Sequence, residues 1–173
     1  SQKTTVLYKE GWHKGVIGIV ASRLIETYYR PTIIFTQSNG KATGSARSVV
    51  GFDLYNAIDA CGDILESYGG HKYAAGLTVK EENMTRFQER FEEYVSKNIL
   101  PEQLIPVIEI DSKINFRSIT SKFFRILRQL APFGPQNMVP VFLTENVKDA
   151  GESRVVGATR EHLKLDMIDP SGK

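Results

Sequence analysis

The opening of the sequence contains the pattern that most restricts the fold: a strand, a helix and a second strand. Thr4–Tyr8 is a short β-branched and aromatic run, and apolar residues recur at helical spacing from Val16 to Tyr29. Pro31 ends this helical pattern, because proline disfavours helical geometry in the residue before it. Thr32–Thr36 is then typical of a buried strand. Three such elements within about 30 residues form a βαβ unit, which predicts a partly parallel sheet.

Further elements of the same domain follow this unit. Ala42–Ser48 is a run of small residues expected to be a strand or a loop. Asp53 is a good N-cap for a short helix, because a carboxylate accepts hydrogen bonds from the first helical turn. The Gly69–Gly70 pair interrupts the pattern before Ala74–Lys80 resumes as a strand. Asn83 is expected to cap a final amphipathic helix, so the whole predicts an α/β domain with a mixed, partly parallel sheet.

The sequence beyond this domain is different in kind. Prolines at positions 101 and 106 predict a linker over residues 99–106, between a domain at 1–98 and a second at 107–173. Val107–Ile110 is predicted to be a strand and residues 118–131 a helix. Three more short strands are predicted at Val141–Thr144, Arg154–Gly157 and His162–Ile168. Short strands with turns between them predict a mainly β, barrel-like segment that contains one helix and is incomplete.

Composition limits the classes of protein to which the chain can belong. It is 41% hydrophobic and 24% charged, as in soluble globular proteins, and no apolar run approaches the ~20 residues of a membrane-spanning helix. Cys61 is the single cysteine, which fits a reducing cytoplasm. The chain begins without an initiator methionine and stops after a turn, so we expect a fragment of a longer protein.

The first candidate site lies in the run of small residues. Ser45 and Arg47 are two apart on a predicted strand, so their side chains point to the same face. A hydroxyl beside a guanidinium can hold a phosphate, since arginine presents a planar fork of donors. The alternative is an edge strand with a solvated arginine.

Two other short motifs could also contact an anion. Gly69 and Gly70 can expose consecutive backbone N–H groups, and His71 adds a donor beside them. The alternative is a helix C-cap followed by a surface histidine. Trp12 and His13 precede the first helix, where Trp12 is more typical of a core residue and His13 of a cap or a contact between domains.

The second segment carries a basic stripe. Lys122, Arg125 and Arg128 recur every three residues and therefore share one side of the predicted helix. They could follow the phosphates of a nucleic acid through sequence-independent electrostatics, or they could simply be a solvated helix face. No acidic residue lies between Ser112 and Leu130, so this region is locally basic on a chain whose net charge is only +2.

The sequence shows no catalytic constellation. Metal-dependent cleavage of a phosphodiester needs several Asp, Glu or His ligands. The three histidines, His13, His71 and His162, are far apart and none belongs to a ligand cluster. We therefore predict that this chain binds no catalytic metal and is inactive alone.

Several motifs resemble one known family when taken together. In order along the chain they are Gly11–Arg23, Arg30–Pro31, Gly44–Ser48 and Gly69–Gly76, followed by Leu130–Gly134, Val156–Gly157 and His162–Leu165. The first four are similar to the DHH-associated domain of RecJ exonucleases across residues 5–97. The later ones resemble the OB-type domain that follows it in this family. One departure is Met138, where the family usually has a proline.

The resemblance implies a binding fragment of a metal-dependent 5′–3′ exonuclease acting on single-stranded DNA in repair and recombination. Its N-terminal DHH domain, a further partner of this chain, would hold manganese or magnesium. The family's Ser-x-Arg and Gly-Gly-His motifs hold the nucleic-acid backbone. By resemblance, those roles fall to Ser45, Arg47, Gly69, Gly70 and His71.

Two alternatives remain open from the sequence. One is a smaller DHH phosphoesterase for short oligonucleotides or cyclic dinucleotides, which as a rule ends soon after the associated domain. The other is a non-catalytic module that binds single strands or docks to a protein. In all three cases we expect the chain to have no membrane partner.

Overall fold

The predicted βαβ unit is present in the structure, a computed structural model that describes residues 2–134 and 136–172. Strand β1, Thr5–Tyr8, pairs in parallel with β2, Thr32–Ser38, and helix α1, Ile17–Tyr28, connects them. Helix α1 ends in a left-handed residue, Tyr29, with φ of 43°. Two parallel neighbours cannot be joined by a tight turn, so the chain must cross over the sheet, and α1 makes this crossing.

Three antiparallel strands complete the sheet. They are β3, Lys41–Arg47, then β4, Leu65–His71, and β5, Ala74–Val79. The strand order is β1-β2-β3-β5-β4, so β1 and β4 form the two edges. Only β1 and β2 are parallel, and the prediction of a mixed, partly parallel sheet is confirmed.

The prediction around the glycine pair was wrong. Gly69 and Gly70 neither interrupt the chain nor end a helix, because both lie within β4 and pair with Gly76 and Ala75 of β5. Sequence patterns miss such a strand because glycine has no side chain to signal burial and is rare in strand interiors. Strand β4 is an edge strand of the sheet.

The two faces of the sheet are covered unequally. Helices α2, Leu54–Asp59, and α3, Met84–Asn98, cover one face and enclose the main core. In that core the Phe35 ring meets the Phe87 ring edge-on, with 5.6 Å between their centroids. Among the described elements of this first unit, α1 is the one helix on the other face, where it packs on β2 and β3. This leaves the α1 side of β5 and β4 without a helix.

The two predicted helix caps have different outcomes. The Asp53 carboxylate accepts a hydrogen bond from the Asn56 N–H at 3.1 Å, so its prediction as an N-cap is confirmed. Asn83 occupies the position before α3 but makes no capping hydrogen bond with its side chain. Residues Glu81–Asn83 form a short 3₁₀ turn instead, which leads the chain into α3.

The chain divides into two compact units, Ser1–Pro106 and Val107–Lys173. Much of the segment expected to be a linker, residues 99–106, packs within the first unit. Ile99 is buried, and Leu104 packs against the main core. Residues Pro101–Leu104 form a 3₁₀ turn, in which the Leu100 N–H donates to the Gln103 side chain.

The second unit consists of short elements. Its strands are β6, Ser112–Lys113; β7, Phe142–Leu143; β8, Lys148–Asp149; β9, Arg154–Val156; β10, His162–Lys164; and β11, Met167–Ile168. They form three separate pairs, β6 with β7, β8 with β11, and β9 with β10, and no closed barrel is formed among the described residues. Helix α4, Ser121–Arg128, is shorter than predicted.

Two strand predictions in this unit were wrong. Val107–Ile110 is not a strand, and its apolar side chains are exposed. His162–Ile168 is not one strand but two, β10 and β11, which pair with different partners. The alternation of Leu163, Leu165 and Met167 resembles one continuous strand, but the chain leaves the ladder at Leu165 and Asp166. Of the expected Pro132–Pro135 turn, Pro135 lies outside the described residues.

No helix in the described part of the chain is both long enough and apolar enough to cross a membrane. Cys61 is fully buried, and burial raises the pKa of its thiol to about 11. The thiol therefore stays protonated and unreactive near neutral pH, as expected of a small core residue.

Glu92 on α3 holds the start of β1. Its carboxylate accepts hydrogen bonds from the backbone N–H groups of Lys3 and Thr4, at 2.8 and 2.9 Å, and from the hydroxyls of Thr4 and Ser96. Partial burial acts to raise the pKa of Glu92, but these hydrogen bonds outweigh it and hold the pKa below its usual value. The charged form is therefore the one that stabilises the fold.

We predict that Glu92→Gln lowers the free energy of unfolding at neutral pH by about 1–3 kcal/mol, because Thr4 is buried and would lose a charged acceptor. Because the pKa of Glu92 is lowered in the folded state, this stabilisation is present above the usual carboxyl pKa. It is lost as the pH falls through the lowered value. Urea unfolding from about pH 7 down to about pH 3 should therefore show the two proteins converging.

Glu93→Gln is the matched control on the same helix. Glu93 pairs with Lys97 at the exposed surface, where an ion pair contributes little. A constant difference between wild type and Glu92→Gln across the whole pH range would contradict the prediction.

Candidate nucleic-acid interface

A groove of about 590 Å³ lies on the face of the sheet that α1 leaves uncovered. Its walls are the N-terminal end of α1 and the strands β3, β5 and β4. The residues that line it are Lys14, Gly15, Ile17, Gly18, Thr43, Gly44, Ser45, Arg47, Ser67, Tyr68, Gly69, Gly76, Leu77 and Thr78. The structure thus brings together three of the five predicted binding residues, Ser45, Arg47 and Gly69.

Ser45 and Arg47 form one unit in this groove, as their spacing on the strand predicts. The Arg47 guanidinium donates a hydrogen bond from Nη1 to Ser45 Oγ at 3.1 Å and another to the Ala46 carbonyl at 2.8 Å. Both side chains are half-buried. These contacts fix the guanidinium beside the hydroxyl, and its remaining N–H donors can serve an anionic ligand.

Gly18 on α1 allows this arrangement. A Cβ atom at Gly18 would lie 2.9 Å from both Arg47 Nη2 and Ser45 Oγ. The absence of a side chain therefore lets the first turn of α1 approach the Arg47 and Ser45 side chains closely. The sequence motifs did not single out Gly18, although a glycine inside a helical pattern is unfavourable and commonly has a packing reason.

The N-terminal end of α1 contributes to the same wall. The residue that precedes the helix, Val16, makes no side-chain cap, so the first-turn N–H groups are not satisfied by a side chain. The Thr36 hydroxyl donates to the Trp12 carbonyl at 2.6 Å, and His13 Nδ1 accepts from the Gly15 N–H at 3.1 Å. These bonds hold the loop before α1, and His13 bonds within that loop rather than to the helix. The end of the helix carries the positive part of its dipole and favours an anion.

The charge of the groove is one-sided. Lys14 and Arg47 are its only charged residues among those described, and no carboxylate lines it. Arg47 makes no ion pair within the described part of the chain. Lys14 was not predicted from the sequence, because a single lysine before a helix carries no distinctive signal. The groove is consequently suited to an anionic ligand.

Gly70 and His71 continue β4 beyond Gly69 but do not line the groove. Gly70 has a φ of 154°, and a Cβ there would lie 2.3 Å from the Ala74 carbonyl oxygen, so only glycine fits. His71 is exposed, and its Nδ1 accepts from the Tyr73 N–H at 3.4 Å. In the neutral ring the proton is then on Nε2, which can donate to a ligand.

The basic residues of α4, in the second unit, are all exposed. Lys122, Arg125 and Arg128 make no ion pair in the described residues. Phe123 on the same helix is half-buried and packs against Phe142, with 5.4 Å between the ring centroids. The basic stripe predicted from sequence is thus present on the solvent side of this helix.

The described residues contain no group of three or more His, Cys, Asp or Glu side chains placed to hold a metal ion. The residues present therefore do not fit a catalytic divalent cation. What the groove can do is bind an anionic ligand through Arg47, Ser45 and the end of α1.

We predict that Gly18→Ala leaves α1 intact but displaces the Arg47 guanidinium, because the added methyl group meets the flexible ends of two side chains rather than backbone. Affinity for inorganic phosphate should fall several-fold, and the Arg47 side-chain signal should shift in a ¹H–¹⁵N NMR spectrum. Gly11→Ala is the matched control, since a Cβ there meets nothing within 4 Å. An unchanged Arg47 signal in Gly18→Ala would contradict the prediction.

Comparison with known families gives two matches along the chain. Residues 1–97 match the DHHA1 domain, and residues 110–173 match the RecJ OB domain. The "Single-stranded-DNA-specific exonuclease RecJ" of Bacillus subtilis is 37% identical over 174 residues, which is 99% of this chain and 22% of that protein. The protein of the same name from Escherichia coli is 33% identical and covers 96% of this chain, with 29% of its own length matched.

Solved structures agree with these matches. RecJ from Thermus thermophilus in complex with Mn²⁺ superposes with a TM-score of 0.75 at 31% identity, over 96% of this chain and 24% of that one. A Mg²⁺ complex of the same protein also has a TM-score of 0.75. The chain spans about a quarter of the length of the relatives it matches.

These matches cover both units and follow the same order as the sequence motifs. The resemblance predicted from those motifs is therefore confirmed. The chain belongs to the DHHA1 domain family and corresponds to the C-terminal DHHA1 and OB region of RecJ proteins.

Proposed function

We propose that this chain is the substrate-binding part of a RecJ-like 5′–3′ exonuclease and binds the backbone of single-stranded DNA. The observation that carries the proposal is the groove of the first unit. There Arg47 and Ser45 meet the positive end of α1, and no carboxylate among the described residues opposes them. Phosphates are the repeating anions of DNA, and their contacts supply affinity that does not depend on sequence.

Hydrolysis itself belongs, in this proposal, to a DHH domain outside the chain. The relatives are named single-stranded-DNA-specific exonucleases and are about four times longer than the matched region. The solved relatives are manganese and magnesium complexes, so we expect such an ion in the catalytic domain. The described residues of this chain offer no metal-binding cluster, so its contribution would be to hold and orient the strand.

The α4 stripe is proposed as a second contact with the strand. Its three basic side chains are exposed and unpaired among the described residues, which suits a surface that follows phosphates. The Phe142 ring packs against Phe123 of this helix. We therefore expect α4 to act through charge rather than through stacking.

The match to the RecJ OB domain favours an exonuclease over the smaller DHH phosphoesterases. That match covers residues 110–173, a region that those enzymes generally lack. A module that only binds single strands, without a catalytic partner domain, remains a distinct outcome for the whole protein. Cleavage assays on the full-length parent protein, with and without manganese, distinguish the two.

We predict that a labelled single strand binds this chain with an affinity that falls as salt increases. For single strands the slope of log K against log salt is about −0.7 for each phosphate contact. Arg47→Ala should make the slope shallower by about this amount, because one contact is lost. His71→Ala should weaken binding as well. Fluorescence anisotropy across a salt series measures both effects.

Arg23→Ala is the matched control, because Arg23 is exposed on α1 and paired with Glu26, away from the groove. Replacing the three basic residues of α4 with alanine tests the second surface separately. If Arg47→Ala and His71→Ala leave DNA binding unaffected but the α4 variant abolishes it, the DNA-binding surface is α4 and not the groove.

A further inference from the structure

The floor of the groove is built from three strands in register, β3, β5 and β4. Residues directly opposite each other in an antiparallel ladder project to the same face, and so do residues two apart along a strand. The groove face therefore consists of three cross-strand rows. They are a hydroxyl row of Thr43, Thr78 and Ser67; a glycine row of Ser45, Gly76 and Gly69; and a third row of Arg47, Ala74 and His71, of which only Arg47 lines the groove among the described residues.

The hydroxyls of the hydroxyl row are not used within the described part of the chain. All three of its residues line the groove, and none of their hydroxyls makes a hydrogen bond to another group in the described part of the chain. Thr36, the next residue in the same row on β2, is different, because its hydroxyl donates to the loop before α1. Thr43 and Thr78 are half-buried, and their hydroxyls are not among the buried unsatisfied polar atoms, so they remain accessible from the groove. Because no protein group uses them, they are available to donate hydrogen bonds to a ligand.

In the glycine row, next to these hydroxyls, Gly69 and Gly76 leave the backbone of the groove floor without side chains. Gly69 and Gly76 face each other across β4 and β5, and a Cβ on either would meet nothing within 4 Å. Neither has a positive φ, unlike Gly70. Glycine weakens the interior of a strand, and it commonly marks a place where a ligand approaches the backbone closely. The fold itself does not require glycine at these two positions.

The spacing of the rows suits consecutive phosphates. The Arg47 side chain extends along β3 and donates a hydrogen bond to Ser45, so its guanidinium lies beside the glycine row. Along β3 the hydroxyl row is two residues away from the glycine row. The two rows are therefore separated by about 6.8 Å, the rise of two residues in an antiparallel strand. Successive phosphates of an extended single strand are separated by a comparable distance, with one sugar between them.

We propose that Thr43, Thr78 and Ser67 form a second phosphate subsite, next to the one at Arg47 and Ser45. The groove then holds two successive phosphates of one strand, and the sugar between them lies against Gly76 and Gly69. The first phosphate binds by charge and the second by neutral hydroxyl donors. This inference rests on the proposed function, because it requires the first phosphate to bind at Arg47.

The test compares a ligand with one phosphate and a ligand with two. The 173-residue chain is titrated by NMR with thymidine 5′-monophosphate and with the 5′-phosphorylated dinucleotide of thymidine. The variant is Thr43→Val/Thr78→Val, which removes two hydroxyls while keeping β-branched side chains that suit strands. We expect its affinity for the dinucleotide to fall at least about tenfold, since even one lost hydrogen bond to a charged group costs that much, and its affinity for the mononucleotide to stay unchanged.

A dinucleotide with a neutral methylphosphonate between the sugars provides the second arm. If the hydroxyl row binds the internal phosphate, the difference in affinity between wild type and the double variant is much smaller for this ligand than for the charged dinucleotide, because hydrogen bonds to the neutral group are weaker. Thr5→Val on β1 is the matched control, because it makes the same change on a strand that does not line the groove.

The outcomes separate this inference from the proposed function. The second subsite is overturned if the double variant binds the dinucleotide as tightly as wild type does. It is also overturned if the affinity for the mononucleotide falls as much as the affinity for the dinucleotide. The proposed function is tested instead by Arg47→Ala, which should weaken both ligands. If Arg47→Ala binds both like wild type, the groove is not the phosphate site, whatever the double variant does.

Discussion

The placement of α1 over only part of the sheet determines most of what this structure can do. The parallel pairing of β1 with β2 forces the chain to cross the sheet, and the crossing helix covers β2 and β3. On that face α1 does not cover strands β5 and β4, which lie on the far side of β3. A groove with one helical wall and a flat strand floor is the direct result. The close contact at Gly18 then sets the position of Arg47 in it.

Charge follows the same division between the two faces. On the α3 side, Asp63 pairs with Arg86 and Arg90, and Glu93 pairs with Lys97, so opposite charges are largely matched. The side-chain hydrogen bond from Arg90, the largest of several causes, lowers the pKa of Asp63. In the groove the hydrogen-bond partners of Arg47 among the described residues are neutral, a serine hydroxyl and a backbone carbonyl. A nearly neutral chain can thus concentrate an unbalanced positive charge at one place.

The sequence was sufficient where a local rule decides the structure. Helical spacing ended by Pro31 located α1, Asp53 located the start of α2, and the spacing of Ser45 and Arg47 placed them on one face. It was insufficient where pairing between distant segments decides. Strand β4 carries a weak local signal, and it exists because β5 follows it in a tight hairpin. The hydroxyl row depends on the register of three strands, which no single stretch of sequence specifies.

The edge position of β4 has a consequence for how firmly the groove floor is held. This strand is bonded on one side only, contains Gly69 and Gly70, and has an irregularity between Leu65 and Ser67. Each of these features lowers the free energy needed to open a segment locally, so β4 should exchange its amide hydrogens sooner than β2 or β3. A ligand lying across all three floor strands binds only the closed form and slows that exchange. The observed binding free energy is therefore smaller than that of the contacts alone, because it includes the free energy of holding β4 in the sheet.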